Sequence, residues 1–493
     1  MAAATPSIRT IGRAALPYAA NMDTATPVTP TPAGNAALRQ AHALFLQRRD
    51  ADALPHARLA AHALPRRADA WTLLGIVQQR LGQLRDAELA YREAIRVQPD
   101  YADAWTNLGN LLRDQDDLPG TLRAFQQAMR CAPNSPEPPY NLGVALEHFG
   151  QWDGALAAFL AAIECDPRHV DAHWNAGLAL LRAGRFEEGF REYEWRFERG
   201  EPEPRVCIQP AWDGQPLAGR TILVWAEQGF GDTLQFLRYV PEVARRGGRV
   251  VLEVMDGLQG LASRLPGVDA VVVRRHPAPA FDTHVALMSL PHALGLANPH
   301  AASPYLHAHA AKASQWRARL AASGHRAGHE LAVGLVWASN PSLRNSRARS
   351  PGFDAVRALM EISRARFFSL QKGADVNELS GQRSPANLVD LDREIENFDD
   401  TAAIIANLDV VVTCDTAVAH LAGALGKRVF VMLPHARDWR YGLDAASSAW
   451  YPSMRLFRQQ SCGDWTTVLA RVANALRQAV ASLPSQALAA AHA

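Results

Sequence analysis

From Ala68 onward the apolar and small residues of the chain recur with a period of 34. With Ala68, Ala102, Pro136 and Val170 as first positions, glycine stands eighth in each copy (Gly75, Gly109, Gly143, Gly177). An aromatic residue stands twenty-fourth (Tyr91, Phe125, Phe159, Tyr193). Trp71 and Trp105 are fourth, Ala94, Ala128 and Ala162 twenty-seventh, and Pro99, Pro133 and Pro167 thirty-second. A weaker copy begins at Gly34, with Ala53 and Pro65 in place, which makes about five units. The spacing predicts two antiparallel helices per copy. Glycine and alanine let them approach, the aromatic fills the gap to the next unit, and proline stops the second helix. From Gly219 the pattern changes to short apolar runs separated by helical segments. The runs at 221–226, 249–254, 270–273, 332–338, 365–370, 410–414 and 428–433 read as buried parallel strands of doubly wound α/β sheets.

The first pattern is that of tetratricopeptide repeats, an α-solenoid whose inner groove ordinarily takes an extended peptide or another protein. The alternative is an array that braces the second half or self-associates. After Phe190 the last copy departs from the pattern and runs REYEWRFERG, a capping helix leading onward. The expected divisions are a disordered Ala/Thr/Pro-rich leader at 1–33, with Met22 as an alternative start, and the repeat array at 34–203. A first Rossmann-like lobe follows at 204–325, a second at 326–485 and a tail at 486–493. The polar helical stretch at 308–330 would link the lobes.

Charge and cysteine content remove several classes of function. With 51 basic and 49 acidic residues the formal charge is +2, no general footprint for nucleic acid. The five cysteines are scattered, without metal-ligand spacing, and read as reduced thiols; a cytoplasmic location is expected. No apolar run is long enough to span a bilayer and no secretory signal is seen at the start.

In doubly wound sheets ligands bind beyond the carboxyl ends of the strands, which singles out three loops. In AEQGFGDTLQFLRY (226–239), Gly229 and Gly231 permit a tight turn and Asp232 opens a helix that continues through Thr233 and Gln235. In CDTAVAHLAGALGKRVFV (414–431), Asp415 and Thr416 start a small-residue helix whose free N–H groups suit a diphosphate. In WASNPSLRNSRARS (337–350), Asn340 accompanies Arg344, Arg347 and Arg349, which suit phosphate. Each loop has a plainer reading: Asp232 and Asp415 as helix caps, the arginines as a solvated face, His420 as an interior histidine.

EQGFGDTLQFLRY, DTAVAHLAGALGK and DWRYG together resemble bacterial tetratricopeptide-repeat glycosyltransferases related to the ADP-heptose lipopolysaccharide heptosyltransferases. The resemblance runs from about Trp212 to near Val480, and the array in front is similar in layout to O-linked N-acetylglucosamine transferases. It implies a GT-B-type pair of facing lobes behind the α-solenoid, and inverting, metal-independent transfer of a sugar from a nucleotide-diphosphate sugar. It implies no cofactor. Residue by residue, it implies Asp232 as general base in a loop with Gln228, Gly229, Gly231, Thr233 and Gln235. Asp415, Thr416, Ala417 and His420 would lie at the donor diphosphate, with Asn340, Arg347, Arg349, Gln371 and Lys372 as further donor contacts, and His284 and Ser289 on the acceptor side. The sequence departs from that pattern at Leu343 and Ser346, where relatives often carry His and Asp.

The implied reaction is an in-line displacement onto a hydroxyl of a protein, a peptide held in the repeat groove, or a cell-surface glycan. Two other readings stay open: a catalytically inactive repeat scaffold with a nucleotide-sugar-sensing domain, and, from Asp390-Leu391-Asp392, a metal-bound diphosphate site of single-lobe glycosyltransferases.

Overall fold

The computed structural model of the chain describes residues 31–200, 205–296, 304–342, 346–373, 385–443 and 446–484. Most of the expected leader (1–30) and all of the tail (486–493), with Leu343 and Arg344, lie outside them. The chain divides into two compact units, Met1–Ala176 and Gly177–Ala493.

The first unit is a run of antiparallel helices: α1 (Pro32–Leu46), α2 (Asp50–Ala63), α3 (Ala68–Arg80), α4 (Leu84–Val97), α5 (Ala102–Asp114), α6 (Leu118–Cys131), α7 (Glu137–His148), α8 (Trp152–Cys165) and the start of α9 (Val170–Arg182). The array begins earlier than expected. The Thr31 hydroxyl accepts the Gly34 N–H and proline stands in the first turn, so residues 32 and 33 are helical rather than part of a leader.

The repeat positions explain the packing. A Cβ added to Gly75 would lie 2.5 Å from the Tyr91 ring, one at Gly143 2.5 Å from the Phe159 ring, and one at Gly109 3.0 Å from the Phe125 ring. The aromatic therefore fills the gap over the glycine of its own repeat, where the spacing had suggested the gap to the next. The buried cluster around Tyr91 still continues into the following copy through Leu108 and Leu111. Successive repeats are tied by the fourth position. Trp71 and Trp105 donate their indole N–H groups to the carbonyls of Pro65 (3.2 Å) and Pro99 (2.8 Å) of the preceding copy. The His173 ring meets Pro167 O at 3.1 Å.

The second unit starts inside α9 and carries α10 (Phe186–Tyr193) and a 3₁₀ turn, Glu194–Arg196. The division thus falls before the expected boundary at 203. The reason is the aromatic face of α10, where Phe190 packs edge-on against Phe236, Trp439 and Trp450, with centroids 5.8 to 6.2 Å apart.

Two parallel sheets follow. The first has β1 (Thr221–Trp225), β2 (Arg249–Val254), β3 (Ala270–Val273) and β4 (Thr283–Ala286), in the order β3-β2-β1-β4. The second has β5 (Leu331–Val336), β6 (Ala365–Ser369), β7 (Leu388–Asp390), β8 (Val410–Cys414), β9 (Val429–Leu433) and β10 (Met454–Arg458), in the order β10-β9-β8-β5-β6-β7. Every pairing is parallel. Taken from β7, the second sheet has the 3-2-1-4-5-6 order of doubly wound nucleotide-binding folds, and the first repeats its 3-2-1-4 part. β5, β8 and β9 are buried along their whole length, which is why they read as unbroken apolar runs. One face of the second sheet is closed by the helix Trp465–Ala481, whose Val472 and Leu476 share a core with Val333, Leu335, Val412 and Phe457. The helix Ala310–Ala322 packs beside the second sheet, with Lys312 Nζ on Asp400 at 2.6 Å and Asn407 donating to Ala313 O at 2.8 Å.

Candidate functional site

The strand order sets where a site forms. In each sheet the chain reverses direction of travel between its first and fourth strands, β1/β4 and β5/β8, and the loops there diverge to leave a crevice. The candidate loops leave these strands: 226–232 from β1, 287–289 from β4, 337–350 from β5 and 415–417 from β8.

The first loop and the helix Ala417–Ala424 touch. A Cβ at Gly231 would sit 3.0 Å from His420 Cδ2 and 3.7 Å from Ala417 Cα, so any larger residue would crowd the His420 ring. Gly229 caps the short helix Phe230–Phe236, and Asp232 reaches back so that its Oδ2 accepts the Gly229 N–H at 3.3 Å. The other oxygen, Oδ1, accepts from Arg440 Nη2, an ion pair between the two lobes. Arg440 also holds Asp438 at 3.1 Å and lies over the Trp439 ring at 4.4 Å. Beside this pair Arg349 is ion-paired with Asp415, whose Oδ1 accepts from the Tyr441 hydroxyl at 2.7 Å. The structure thus joins Asp232, Gly231, Ala417, His420, Asp415 and Arg349, drawn from loops almost two hundred residues apart.

The electrostatics follow from burial and pairing. Burial opposes charge on Arg440, but Asp232 and Asp438 outweigh it and hold the guanidinium well above its usual value. Burial likewise opposes ionisation of Asp438, and Arg440 outweighs it, so that carboxyl is held low. Burial pushes the His420 imidazole down to about 4, so the ring is neutral near pH 7, with Nδ1 3.1 Å from the Tyr451 hydroxyl. Burial and then Asp415 push the Tyr441 phenol up.

Several expected site residues have other work. Gln371 clamps the end of β5, its oxygen accepting from Trp337 N (3.1 Å) and Ala338 N (3.0 Å) and its nitrogen donating to Ala338 O (3.2 Å). Lys372 binds Ile395 O and the Asp392 carboxylate, both at 3.0 Å. Asp392 N in turn donates to Asp390 Oδ1 at 3.1 Å, so both acids of that triplet are engaged. Thr416 caps the Ala417–Ala424 helix through extended backbone, its hydroxyl 3.0 Å from that of Thr413. Asn340 accepts from Ser342 N at 3.0 Å, and Arg347 is exposed. Thr233 is buried, 3.4 Å from Met255 Sδ. Gln235 is fully buried, its carboxamide without a partner among the described residues. His284 stays with β4, accepting from the Trp225 indole at 3.3 Å, and is not brought to the others.

The acceptor-side candidates are taken by the end of the repeat array. Gln228 donates to the Tyr193 hydroxyl at 2.9 Å. Arg196, with no solvent exposure, bonds Ser289 Oγ (2.6 Å), Glu194 (2.7 Å) and the fully buried Glu227 (3.0 Å), itself bonded to Met288 N (3.2 Å). This side chain therefore staples the carboxyl ends of β1 and β4. Arg196 and Glu227 went unassigned from sequence, and Tyr193 was read only as a repeat aromatic; Arg196 stood in REYEWRFERG, read as a cap, and Glu227 in the loop after β1. Asp438, Arg440 and Tyr441 stood in DWRYG, just beyond β9, but received no role. A depression of about 620 Å³ lined by Arg428, Phe430, Ser447, Met454 and Gln478 lies at the amino ends of β9 and β10 and shares no residue with this cleft.

Comparison with known proteins bears on the repeat array and, through one relative, on residues beyond it. Residues 72–136 and 140–196 match the tetratricopeptide repeat family. The chain is 30% identical over 333 residues to protein FlbA of Caulobacter vibrioides, a match over 61% of this chain that spans about half (54%) of that relative's length. Among solved structures, YrrB, described as a TPR protein with an unusual peptide-binding site, is 24% identical (33% of this chain, 84% of that one, TM-score 0.27). MamA from Desulfovibrio magneticus RS-1 is 16% identical (36% and 99%, TM-score 0.31), and PilF of Pseudomonas aeruginosa 19% (34% and 76%, TM-score 0.32). The amino-terminal region is thus a tetratricopeptide array, followed by a parallel-sheet α/β region. No helix among the described residues is long and apolar enough to cross a membrane.

Proposed function

We propose that the second unit is a GT-B-type glycosyltransferase that moves a sugar from a nucleotide-diphosphate sugar to a hydroxyl of a protein, peptide or glycan acceptor. The observation that carries this reading is the meeting of two crevices: the Gly231-Asp232 turn beyond β1 lies against the helix start at Ala417 beyond β8, with Arg440 paired to Asp232 and Arg349 to Asp415. A carboxylate facing a helix amino end and two guanidinium groups suits an in-line displacement. Asp232 takes the acceptor proton while N–H dipoles and arginines hold charge on the departing diphosphate. The reaction needs no cofactor in this reading. The repeat array supports a protein or peptide acceptor over a glycan.

A second reading is favoured by the engagement of Gln371, Lys372, Gln228 and Ser289 within the protein: a repeat scaffold whose α/β region senses a nucleotide sugar without turning it over. Release of nucleoside diphosphate from a panel of UDP-, GDP- and ADP-sugars, with wild type and Asp232→Asn, separates the two. Turnover lost in the variant supports the transferase. Binding of a donor without consumption by wild type supports the sensor.

A further inference from the structure

We infer that Arg440 is an exchange residue, holding Asp232 idle until a donor diphosphate takes the carboxylate's place; this rests on the transferase reading. Both Asp232 oxygens are engaged, Oδ2 with the Gly229 N–H at 3.3 Å and Oδ1 with Arg440. A carboxylate oxygen has a second lone pair, but one already paired with a guanidinium is the poorer acceptor for the proton of an acceptor hydroxyl. The diphosphate, for its part, needs cations, and among the described residues Arg349 is matched with Asp415 and Arg440 with Asp232 and Asp438.

One movement resolves both conflicts. Asp438 and the Trp439 ring anchor the guanidinium near its present place, 3.1 Å from the carboxylate and 4.4 Å from the ring centroid, so Arg440 need only release Asp232. Its Nη2 then bonds a diphosphate oxygen and Asp232 Oδ1 is freed toward the acceptor. In the step that follows, the acceptor oxygen bonds the anomeric carbon and its proton passes to Asp232. The bond from anomeric carbon to diphosphate breaks, and the leaving electron pair remains on the diphosphate beside Arg440. Arg440 is thus a charge partner of base and leaving group in turn, which makes the base available only when donor is present.

The inference has a signature that neither a plain base nor a structural ion pair gives: neutralising Asp232 should tighten nucleotide binding. Calorimetric titration of the full chain with UDP, GDP and ADP, and with the matching monophosphates, is the test. For the diphosphate that wild type binds, Asp232→Asn is expected to bind about 5- to 10-fold tighter and Arg440→Gln about tenfold weaker or worse. Arg440→Lys should recover part of the loss, with little change for the monophosphate. Diphosphate binding to Asp232→Asn that is no tighter than wild type, or unchanged in Arg440→Gln, overturns the exchange. Donor turnover by wild type that is abolished in Asp232→Asn would leave the transferase reading standing even then. If wild type binds none of the three diphosphates, both fail together. Because Asp232→Asn preserves side-chain shape, it carries the decision if Arg440→Gln folds poorly.

Discussion

Arg196→Met is the perturbation that most directly tests how the repeat array's end supports the α/β region. The wild-type guanidinium has no exposure and serves four partners, the Tyr193 carbonyl, Ser289, Glu194 and the equally unexposed Glu227. Methionine keeps most of the stem's volume but leaves Glu227 a buried carboxylate held by backbone N–H groups alone, its own and that of Met288. Removing one partner of such a pair costs about 3 to 5 kcal/mol, far more than the pair's net worth. For a unit of about 300 residues that corresponds to a fall in melting temperature of about 5 to 8 °C. The sign of the pH dependence is fixed as well. Burial already raises the Glu227 pKa in the folded protein, and Arg196 is what limits the rise. Without it the folded value climbs further, so the lost stability returns as pH falls and Glu227 takes a proton. Scanning calorimetry of the full chain from pH 5 to 8 should show the deficit shrinking toward pH 5. The double variant Arg196→Met, Glu227→Gln should recover a good part of it at pH 7.5. A loss below about 1 kcal/mol, or a deficit that grows toward acid, would refute the reasoning.

Three other predictions concern the repeat array and His420. Gly75→Ala and Gly143→Ala place a methyl 2.5 Å from a buried ring and should each destabilise the array by about 1 to 3 kcal/mol, read by urea unfolding monitored by far-UV circular dichroism. Gly109→Ala, with 3.0 Å to the Phe125 ring, should cost much less, since alanine's helix propensity offsets part of the crowding. His420, buried and held down to about 4 from an ordinary 6.5, should show no imidazole titration by NMR between pH 5 and 8. Its folded value lies below its unfolded one, so its contribution, on the order of 3 kcal/mol, is complete above about 6.5 and lost as pH falls through about 4; His420→Gln should flatten that acid limb.

What the sequence made legible follows from how local each signal is. The 34-residue period is local packing repeated, and its glycines and aromatics do meet in pairs: Gly75 with Tyr91, Gly143 with Phe159. The strands β5, β8 and β9 stood out because they are buried on both faces. β7 and β10 did not. The first has three residues, none fully buried, and the second interleaves Arg455 and Arg458 with its apolar positions at the sheet edge. The Asp232 and Asp415 turns were visible as strand-to-helix punctuation. Arg349, the partner of Asp415, was visible as well, but the partner of Asp232 was not, since nothing local to Arg440 announces a carboxylate more than two hundred residues away. Gln371 and Lys372 show the opposite case: polar residues after a strand whose groups the backbone of β5 and the 392–395 turn consume. A polar residue at a strand's carboxyl end is a candidate only until its hydrogen bonds are counted.

The charge count of the cleft is what separates the two functional readings physically. Among the described residues, Asp232, Asp415 and Asp438 face Arg349 and Arg440, three negative groups against two positive. At a separation of about 4 Å and an effective dielectric constant of about 20, each unit-charge interaction amounts to about 4 kcal/mol. A diphosphate entering this arrangement unaltered would add negative charge to a cleft already short of positive charge. Either ion pairs open to receive it, which turns the carboxylates into a gate and frees Asp232 as a base, or the diphosphate stays out. A sensor needs only affinity, and affinity would be served best by arginines without competitors. Three carboxylates placed against the very cations a donor requires make sense where one of them must act on an acceptor after the exchange. That is why raising the salt concentration should weaken the Asp232–Arg440 restraint and the diphosphate's own attraction together, whereas Asp232→Asn alone removes the first and keeps the second.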